Sequence, residues 1–308
     1  MPIPPLPPGV FEIQSGPWRA WIIPFGARMM QLWYDKTPLL LGFQSPEAYR
    51  QDPSSMGAIC GRYGNRIEDA RLVRDGCEWT LDANEGAQCL HGGSGGFGVS
   101  DWSVHSHSSE ELVLLMDSPD LDQGWPGRCQ ARVTFRVEPS SVSCFISAQV
   151  DQPCPLNLIQ HNYWNLGSDA ANHRLHIPSD TTWDNDARNL PQQARGVTPA
   201  EDFQSIRPLG HAQFDQTFEV AGQGMRLMAA LQGPLGQLSV FADQPSIQLY
   251  TAAHLTPTAA ALGAPHNPGS AVCLETQQLP NGPALGEPVW VVPNQRYTHQ
   301  MRWEFNPA

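Results

Sequence analysis

Glu275 is the residue whose type and sequence setting most clearly suggest chemistry. It is the only charged residue of Ala271–Gln277, a segment in which Val272, Cys273 and Leu274 are typical of a short buried strand. Burial disfavours the charged form of a carboxyl group and raises its pKa towards neutrality, where the group is an effective general base. We therefore interpret Glu275 as a candidate base.

Two histidines have comparably distinctive settings, His91 in Leu90–Gly93 and His161 in Asn157–Leu166. A buried carboxyl group with one or two positioned histidines can move protons to and from a substrate. The alternative is structural: Glu275 would be a satisfied ion-pair partner and the histidines would simply pack, because structural networks also bury acids. The motifs around these three residues favour the proton-transferring set.

Ser94 suggests a second kind of chemistry, because Gly92–Gly96 fits the G-x-S-x-G pattern of serine esterases. That nucleophile needs a strand before the serine and a helix directly after it. The segment that follows, Phe97–Trp102, has no helical periodicity. We therefore interpret Ser94 as a loop residue and expect no serine esterase.

Metal chemistry also receives little support. His91, His161 and Glu275 would supply two imidazoles and one carboxylate, but they lack the H-x-H and H-E-x-x-H spacings of metal sites. An H-x-H does occur at His105 and His107, in a polar stretch that we expect to face solvent. No phosphate-binding glycine motif is present. The sequence predicts neither a metal nor a cofactor.

The composition narrows the range of partners. A formal net charge of −12 argues against nucleic acid and anionic membranes, since both bind basic surfaces. The chain has no stretch of about 20 apolar residues, and Met1–Pro8 lacks the features of a secretory signal.

The seven cysteines contain no C-x-x-C pair and are interpreted as free thiols. The only lysine, Lys36, lies in a predicted surface turn, which disfavours Schiff-base chemistry. We expect a cytoplasmic protein with a small-molecule partner.

The elements that must position these residues are predicted to be strands. Short apolar runs are separated by 29 prolines and 27 glycines, a pattern typical of strands and turns. Apolar and polar side chains alternate in segments 131–137, 142–150 and 297–305, which predicts antiparallel sheet with one face on a core. Only two short helical turns are predicted, at 46–51 and 199–203.

Asp180–His211 is poor in apolar residues and resembles a linker. Strand signals look alike on both sides of it, and long loops on a β scaffold commonly carry function. The sequence therefore predicts one domain, residues 1–308, with a long loop.

Gly61–Ile67 carries Arg62 and Arg66, whose guanidinium groups suit bidentate recognition of neighbouring oxygens and hence a polyhydroxylated ligand. This motif and five others occur in the order seen in the aldose 1-epimerase (galactose mutarotase) family, which the chain resembles from about residue 18 to its C-terminus. The other motifs are Leu90–Gly93 with Trp102 downstream, Asn157–Leu166, Phe214–Phe218, Gln248–Thr251, and Cys273–Gln277 with Pro280.

This resemblance implies an all-β fold, a large antiparallel β-sandwich, and an enzyme that interconverts the α and β anomers of a free aldose by acid–base ring opening and reclosure. It implies Glu275 as general base and His161 as general acid, without a cofactor, in a monomer or homodimer. His161 should then be protonated near neutral pH, which acidic neighbours would favour. The residues implied to contact the sugar are His91, Asn65, Arg66, Asp215 and Gln248.

Four positions depart from the family pattern. Gly64 replaces the usual alanine, Gln216 often has histidine as its counterpart, Ala252–His254 replaces a glycine–asparagine pair, and Asn281 replaces an aspartate. Because positions near the implied sugar contacts change while Glu275 is retained, the sequence predicts the reaction type more firmly than the identity of the substrate. A catalytically silent carbohydrate-binding protein on the same scaffold is the alternative.

Overall fold

The computed structural model describes residues 3–308, and β-strands dominate it. In the first part of the chain the strands are β1 (Phe11–Ser15), β2 (Trp18–Ile23), β3 (Arg28–Tyr34), β4 (Thr37–Pro38), β5 (Gly42–Phe43), β6 (Ile59–Cys60), β7 (Arg66–Ile67), β8 (Arg71–Arg74), β9 (Cys77–Thr80) and β10 (Cys89–Leu90). The middle part contains β11 (Ser103–His107), β12 (Glu111–Ser118), β13 (Cys129–Glu138), β14 (Ser141–Val150), β15 (Cys154–Pro155), β16 (Ile159–Gln160), β17 (Tyr163–Trp164), β18 (Arg174–His176), β19 (Thr181–Asn185) and β20 (Pro191–Gly196). The last part contains β21 (Arg207–Pro208), β22 (Asp215–Glu219), β23 (Arg226–Gly233), β24 (Gly236–Ala242), β25 (Ser246–Tyr250), β26 (Ala261–Leu262), β27 (Val272–Gln277), β28 (Trp290–Val291) and β29 (Tyr297–Pro307).

Helical structure is confined to single turns. The α-helical turns are α1 (Pro46–Tyr49) and α2 (Gly282–Leu285), each with a proline in its first turn, where the missing N–H costs nothing. The 3₁₀ turns are Glu68–Ala70, Phe97–Val99, Asp122–Gly124 and Ala170–Asn172. Among residues 3–308, no helix is both long and apolar enough to cross a membrane. The predicted turn at 46–51 is confirmed in α1, whereas α2 had no recognised sequence signal.

Two large antiparallel sheets form the body of the fold. A nine-stranded sheet has the order β11-β12-β13-β14-β29-β24-β23-β18-β21, and a six-stranded sheet has the order β17-β27-β25-β22-β19-β20. Side chains of both sheets belong to one hydrophobic cluster, including Val133 and Ile146 from the first sheet and Ile247 and Leu274 from the second. The two sheets therefore pack face to face, and the predicted all-β sandwich is confirmed. A smaller sheet of β1–β4 also contributes to this core.

The alternation predicted for the long strands is confirmed. In β13 the apolar side chains are buried and the intervening polar ones are exposed or half-buried, and β29 shows the same period of two. Successive side chains of a strand point to opposite faces, so each strand contributes one row to the core.

The six-stranded sheet uses the same alternation to build a polar face opposite its core face. Gln248 pairs with Glu275 across β25 and β27, and Asp215 pairs with Tyr250 across β22 and β25. Directly paired residues project from the same side of a sheet. Asp215, Gln248, Tyr250 and Glu275 therefore share one face, while Leu274 and its apolar neighbours face the core.

Two sequence predictions are corrected by the fold. The 180–211 segment is not a long loop, because it contains the β19–β20 hairpin at the edge of the six-stranded sheet, followed by β21. Its polar residues are exposed on an edge strand, so its low apolar content does not mark a loop. The predicted helical turn at 199–203 is non-helical: Glu201 instead accepts hydrogen bonds from the backbone and hydroxyl of Thr198 and pairs with Arg195.

Candidate active site

A cavity of about 410 Å³ opens on the polar face of the six-stranded sheet. Every residue that the family resemblance assigns to catalysis or sugar binding lines this cavity. These residues are Asn65, Arg66, His91, His161, Asp215, Gln248 and Glu275. They come from strands, turns and loops separated by up to 210 positions of sequence, and the sheet and its loops bring them together.

Glu275 and His161 are neighbours in the lining of the cavity. Glu275 lies on β27 and is 2% exposed, and His161, between β16 and β17, is 6% exposed. His161 Nε2 lies 3.5 Å from Glu275 Oε1. This separation leaves room for a small shift to make a hydrogen bond or for a substrate oxygen to approach both groups.

The imidazole of His161 is held by its backbone and by a neighbouring ring. The His161 N–H donates to Ala58 O at 2.9 Å, and the His161 carbonyl accepts from Gly57 N–H at 2.8 Å. The ring stacks on Tyr163, with centroids 5.0 Å apart, and the Tyr163 hydroxyl donates to Ser54 O at 2.9 Å. His161 Nδ1 has no hydrogen-bond partner within residues 3–308. The ring is therefore fixed in position, with Nδ1 buried and Nε2 directed at Glu275.

Burial shifts the pKa values of this pair in opposite directions and favours the proton on the carboxyl group. Desolvation, with repulsion from Asp215, raises the pKa of Glu275 well above its usual value, although Arg66 opposes the shift. Desolvation also lowers the pKa of His161 to about 4, and the nearby carboxylate of Asp52 does not overcome this. The expectation that acidic neighbours keep His161 protonated near neutral pH is therefore wrong.

Gln248 is oriented by a network along the sheet. Its amide Nε2 donates to Asp215 Oδ1 at 2.6 Å. Its Oε1 accepts from Thr217 Oγ1 at 2.5 Å and from Gln277 Nε2 at 3.2 Å. With its amide oxygen doubly engaged, the orientation of Gln248 is fixed, and Asp215 presents a carboxylate to the cavity.

Arg66 is engaged by a carboxylate that the sequence did not indicate. Its Nε and Nη2 donate to Glu85 at 2.7 and 3.0 Å, a bidentate arrangement, whereas Asp215 Oδ2 lies 3.7 Å from Nη1. Glu85 precedes the His91 motif and carries no local signal for this contact.

Asn65 and His91 form a linked pair beside His161, whose ring centroid lies 5.4 Å from that of His91. Asn65 adopts a left-handed conformation (φ 66°), which asparagine tolerates better than most residues. Its backbone N–H donates to His91 Nδ1 at 3.1 Å, so a neutral His91 carries its proton on Nε2. Desolvation and the neighbouring His161 and Arg66 hold the pKa of His91 well below its usual value.

Arg62 lies outside the cavity lining, which corrects the prediction that both arginines of Gly61–Ile67 suit the ligand. It is 1% exposed, and its guanidinium donates to the hydroxyl and carbonyl of Ser118 and to the carbonyls of Pro119, Pro126 and Gly127. Arg62 therefore fixes the 118–127 segment.

Two other sequence interpretations are confirmed by placement. Ser94 is exposed in a turn and is followed by the 3₁₀ turn Phe97–Val99 instead of a helix. His105 and His107 are exposed on β11. Ser94 lines the cavity as a turn residue, whereas His105 and His107 lie outside its lining.

The four departures from the family pattern have distinct surroundings. At Gly64 a Cβ atom would lie 2.7 Å from Ile159 Cγ1, so the glycine accommodates that isoleucine. Asn281 is buried and left-handed, and its Oδ1 accepts from the Glu68 N–H at 3.0 Å. Gln216 donates to Thr182 Oγ1 at 2.8 Å. His254 stacks on Tyr250 at the mouth of the cavity, with ring centroids 6.3 Å apart.

Further residues line the cavity that sequence reasoning did not assign. Tyr250 follows Gln248 by two positions, so period-two alternation could have identified it. Asp52 could not be identified in this way, because its partner is Arg28, 2.6 Å away in a fully buried ion pair. Donor atoms of His161, Cys273 and Glu275 also lie within 4.8 Å of one another, a grouping able to hold a metal ion. The sequence had grouped His91 with His161 and Glu275 instead.

Comparison with known proteins identifies a family that this chain matches over most of its length. The family model described as aldose 1-epimerase matches residues 10–304. An aldose 1-epimerase from Escherichia coli K12 is 31% identical over 276 residues, covering 83% of this chain and 79% of that protein. A galactose mutarotase from Homo sapiens is 30% identical over 325 residues, covering 97% and 94%.

Solved structures agree with this result. The chain is similar to an aldose epimerase homologue from C. elegans, with a TM-score of 0.91, 26% identity and coverage of 97% and 99% of the two chains. A galactose 1-epimerase from Lactobacillus acidophilus has the same fold, with a TM-score of 0.87, 22% identity and coverage of 96% and 93%.

Proposed function

The chain belongs to the aldose 1-epimerase family, and we propose that it interconverts the α and β anomers of a free aldose at the cavity lined by Glu275 and His161. The observation that carries the proposal is the buried carboxyl–imidazole pair in the lining of the cavity, with Oε1 and Nε2 3.5 Å apart. The enzyme is a sugar isomerase, as its relatives of about 30% identity are.

The reaction requires two proton transfers. The carboxylate of Glu275 takes the proton of the anomeric hydroxyl while the imidazolium of His161 gives a proton to the ring oxygen. The bond from C1 to the ring oxygen breaks, and C1 becomes an aldehyde. Rotation about C1–C2 presents the other carbonyl face, and the reverse transfers close the ring as the other anomer. Each acid–base group typically contributes ~10²–10⁴-fold to the rate.

One proton shared by the pair is enough for the whole cycle. With cyclic sugar bound, Glu275 is ionised and His161 is protonated; after ring opening, Glu275 is protonated and His161 is neutral. The second state is the one that burial favours, since the pKa of Glu275 is raised and that of His161 is lowered. Desolvation therefore assists ring opening, because ring opening converts an ion pair into two neutral groups in a poorly solvated site.

The rest of the cavity is suited to a neutral polyhydroxylated ligand. We assign Asn65, Arg66, His91, Asp215 and Gln248 to the sugar hydroxyls and ring oxygen. His91 Nε2 supplies a donor, the Asp215 carboxylate an acceptor, and Arg66 is held in place by Glu85. Because Glu85 neutralises Arg66, the pocket offers no free cation among its described lining residues to an anionic substituent.

We also propose that residues 1–308 form one domain, functioning as a monomer or homodimer in the cytoplasm without a cofactor. The shared core of the two large sheets supports a single domain, although residues 1 and 2 lie outside the described part of the chain. The free cysteines and the net charge of −12 support the location and the lack of a nucleic-acid partner.

Polarimetry tests the function. Freshly dissolved α-D-galactose or α-D-glucose should reach its equilibrium rotation faster in proportion to added protein, after correction for spontaneous interconversion. Methyl glycosides should be inert, because their blocked anomeric oxygen has no proton to lose. Tight sugar binding without any acceleration would identify a silent carbohydrate-binding protein instead.

A further inference from the structure

Cys273 has no part in the proposed reaction, yet its thiol lies beside both proton-transfer groups. Cys273 and Glu275 are two residues apart on β27, so their side chains leave the same face of the strand. One donor atom each from His161, Cys273 and Glu275 lies within 4.8 Å of the other two, and all three residues are buried. A thiol sulfur, an imidazole nitrogen and a carboxyl oxygen thus converge; His161 and Glu275 line the cavity, and Cys273 is fully buried beside them.

We infer that His161, Cys273 and Glu275 form a binding site for one zinc ion, and that zinc inhibits the enzyme by occupying its proton-transfer groups. The inhibition rests on the proposed function, whereas the binding itself does not. Zinc-free protein is the active form.

The distances suit a tetrahedral ion after a small adjustment. Zinc binds nitrogen and oxygen at about 2.0–2.2 Å and sulfur at about 2.3 Å, which places nitrogen and oxygen ligands about 3.3 Å apart and sulfur about 3.6 Å from either. His161 Nε2 and Glu275 Oε1 are already 3.5 Å apart. The sulfur is at most 4.8 Å from the other donors, so a movement of about 1 Å completes the set.

The donor types favour zinc over magnesium or calcium. Thiolate and imidazole are preferred by zinc, whereas magnesium and calcium prefer shells of oxygen ligands. Three protein ligands leave a fourth tetrahedral position for water or a sugar hydroxyl, as in zinc sites that are open to a cavity.

Zinc binds the deprotonated forms of its protein ligands, so the bound site would hold a thiolate, a carboxylate and a neutral imidazole. The unit of Zn²⁺ with these three ligands has no net charge, which suits a buried site.

Inhibition follows directly from this coordination. A zinc-bound carboxylate cannot take the anomeric proton, and a zinc-bound nitrogen cannot deliver one to the ring oxygen. Added zinc should abolish turnover at one ion per chain, and a chelator should restore it.

The experiment uses full-length protein treated with chelator and then freed of it, assayed by polarimetry with increasing ZnCl₂. Cobalt is added in a parallel titration, because Co²⁺ bound to a thiolate has a charge-transfer absorption that reports coordination without any activity. Cys273→Ala is compared with Cys60→Ala, which removes a different buried thiol, one that lines the cavity but lies outside the three-donor group. Each variant is measured relative to its own zinc-free rate.

We expect saturable zinc inhibition and a cobalt–thiolate band in wild-type protein and Cys60→Ala. In Cys273→Ala the band should be absent and the inhibitory zinc concentration at least ~100-fold higher, since loss of an outer partner of a metal ligand alone costs 10–100-fold in affinity. If Cys273→Ala does not fold, Glu275→Gln should retain a cobalt–thiolate band but require a higher cobalt concentration.

Failure of the inference and failure of the proposed function have different signatures. Equal zinc sensitivity in the two cysteine variants, or no cobalt–thiolate band in wild-type protein, would overturn the zinc site while leaving mutarotation intact. Zinc-free wild-type protein that does not accelerate anomerisation would contradict the function, and the cobalt band would still report the site. Activity that disappears with chelator and returns with zinc would contradict both the inhibitory role and a metal-free mechanism.

Discussion

At the scale of single residues, the catalytic proposal depends on how burial distributes one proton between Glu275 and His161. Sequence reasoning identified both residues, because an isolated acid in an apolar strand and a histidine in a distinctive motif are local features. It did not identify their protonation, which depends on desolvation by residues far away in the chain. Glu85 and Asp52 were missed for the same reason, since each is explained by an arginine distant in sequence.

The pH profile of kcat/KM should show this distribution. The active one-proton form is lost when the pair gains a second proton, below the His161 pKa of about 4. It is also lost when the pair releases its last proton, above the raised pKa of Glu275. We therefore expect a broad, bell-shaped pH profile of kcat/KM. The fall at low pH reports protonation of His161, and the fall at high pH reports loss of the last proton, from Glu275. A rate that falls with rising pH through about 6.5, the usual pKa of histidine, would show an ordinary imidazolium acid instead.

At the scale of elements, period-two patterns predicted the long strands and their buried faces correctly, because alternation is a local consequence of sheet geometry. The edge hairpin β19–β20 was missed because exposed edge strands need few apolar residues. Arg62 was misplaced because neither its motif nor its spacing from Arg66 reveals which arginine the turn buries.

Arg62→Met tests the placement of that arginine. Loss of the guanidinium leaves the carbonyls of Pro119 and Gly127 without their donor, so we expect the free energy of unfolding to fall by about 3 kcal/mol or more. Urea denaturation measures this change, and KM for the sugar should stay close to the wild-type value. Arg71→Ala is the control, because its pair with Glu78 is exposed and contributes little. A large rise in KM with unchanged stability would show that Arg62 contributes to sugar binding instead.

Gly64→Ala restores the residue that is usual in the family and should nevertheless destabilise this chain. The new Cβ atom would lie 2.7 Å from Ile159 Cγ1, and overpacking of this kind costs about 1–3 kcal/mol. Combining it with Ile159→Ala should give a smaller loss than the sum of the single losses, which a double-mutant cycle of unfolding free energies measures. Strict additivity would show that Ile159 is not the reason for the glycine.

At the scale of the whole molecule, charge restricts the substrate. The chain carries a net charge of −12, and Asp52, Glu85 and Asp215 line the cavity together with Glu275, whose raised pKa favours its neutral form. Within the described lining of the cavity, Arg66 is the only arginine or lysine, and its guanidinium already donates two hydrogen bonds to Glu85. The field around the site therefore opposes the approach of an anion.

Neutral aldoses should accordingly be preferred over their 6-phosphates. A phosphate dianion would have to displace Glu85 from Arg66 and enter an acidic cavity, so we expect a lower kcat/KM for glucose 6-phosphate than for glucose or galactose. Rates are compared at matched ionic strength after subtraction of spontaneous anomerisation. A higher kcat/KM for the phosphate would contradict this prediction and point to a cationic group near the cavity other than Arg66.

The role of Glu275 as general base is tested most directly by comparing the anomerisation rates of Glu275→Gln and Glu85→Gln. Both substitutions replace a cavity carboxylate by an amide of the same shape, but only Glu275 belongs to the proposed proton-transferring pair. We expect Glu275→Gln to lose at least ~10²-fold in kcat with little change in sugar affinity. Glu85→Gln should retain most of its kcat and change KM, because it alters only the support of Arg66. Turnover near the wild-type rate in Glu275→Gln would remove Glu275 from the mechanism and contradict the account.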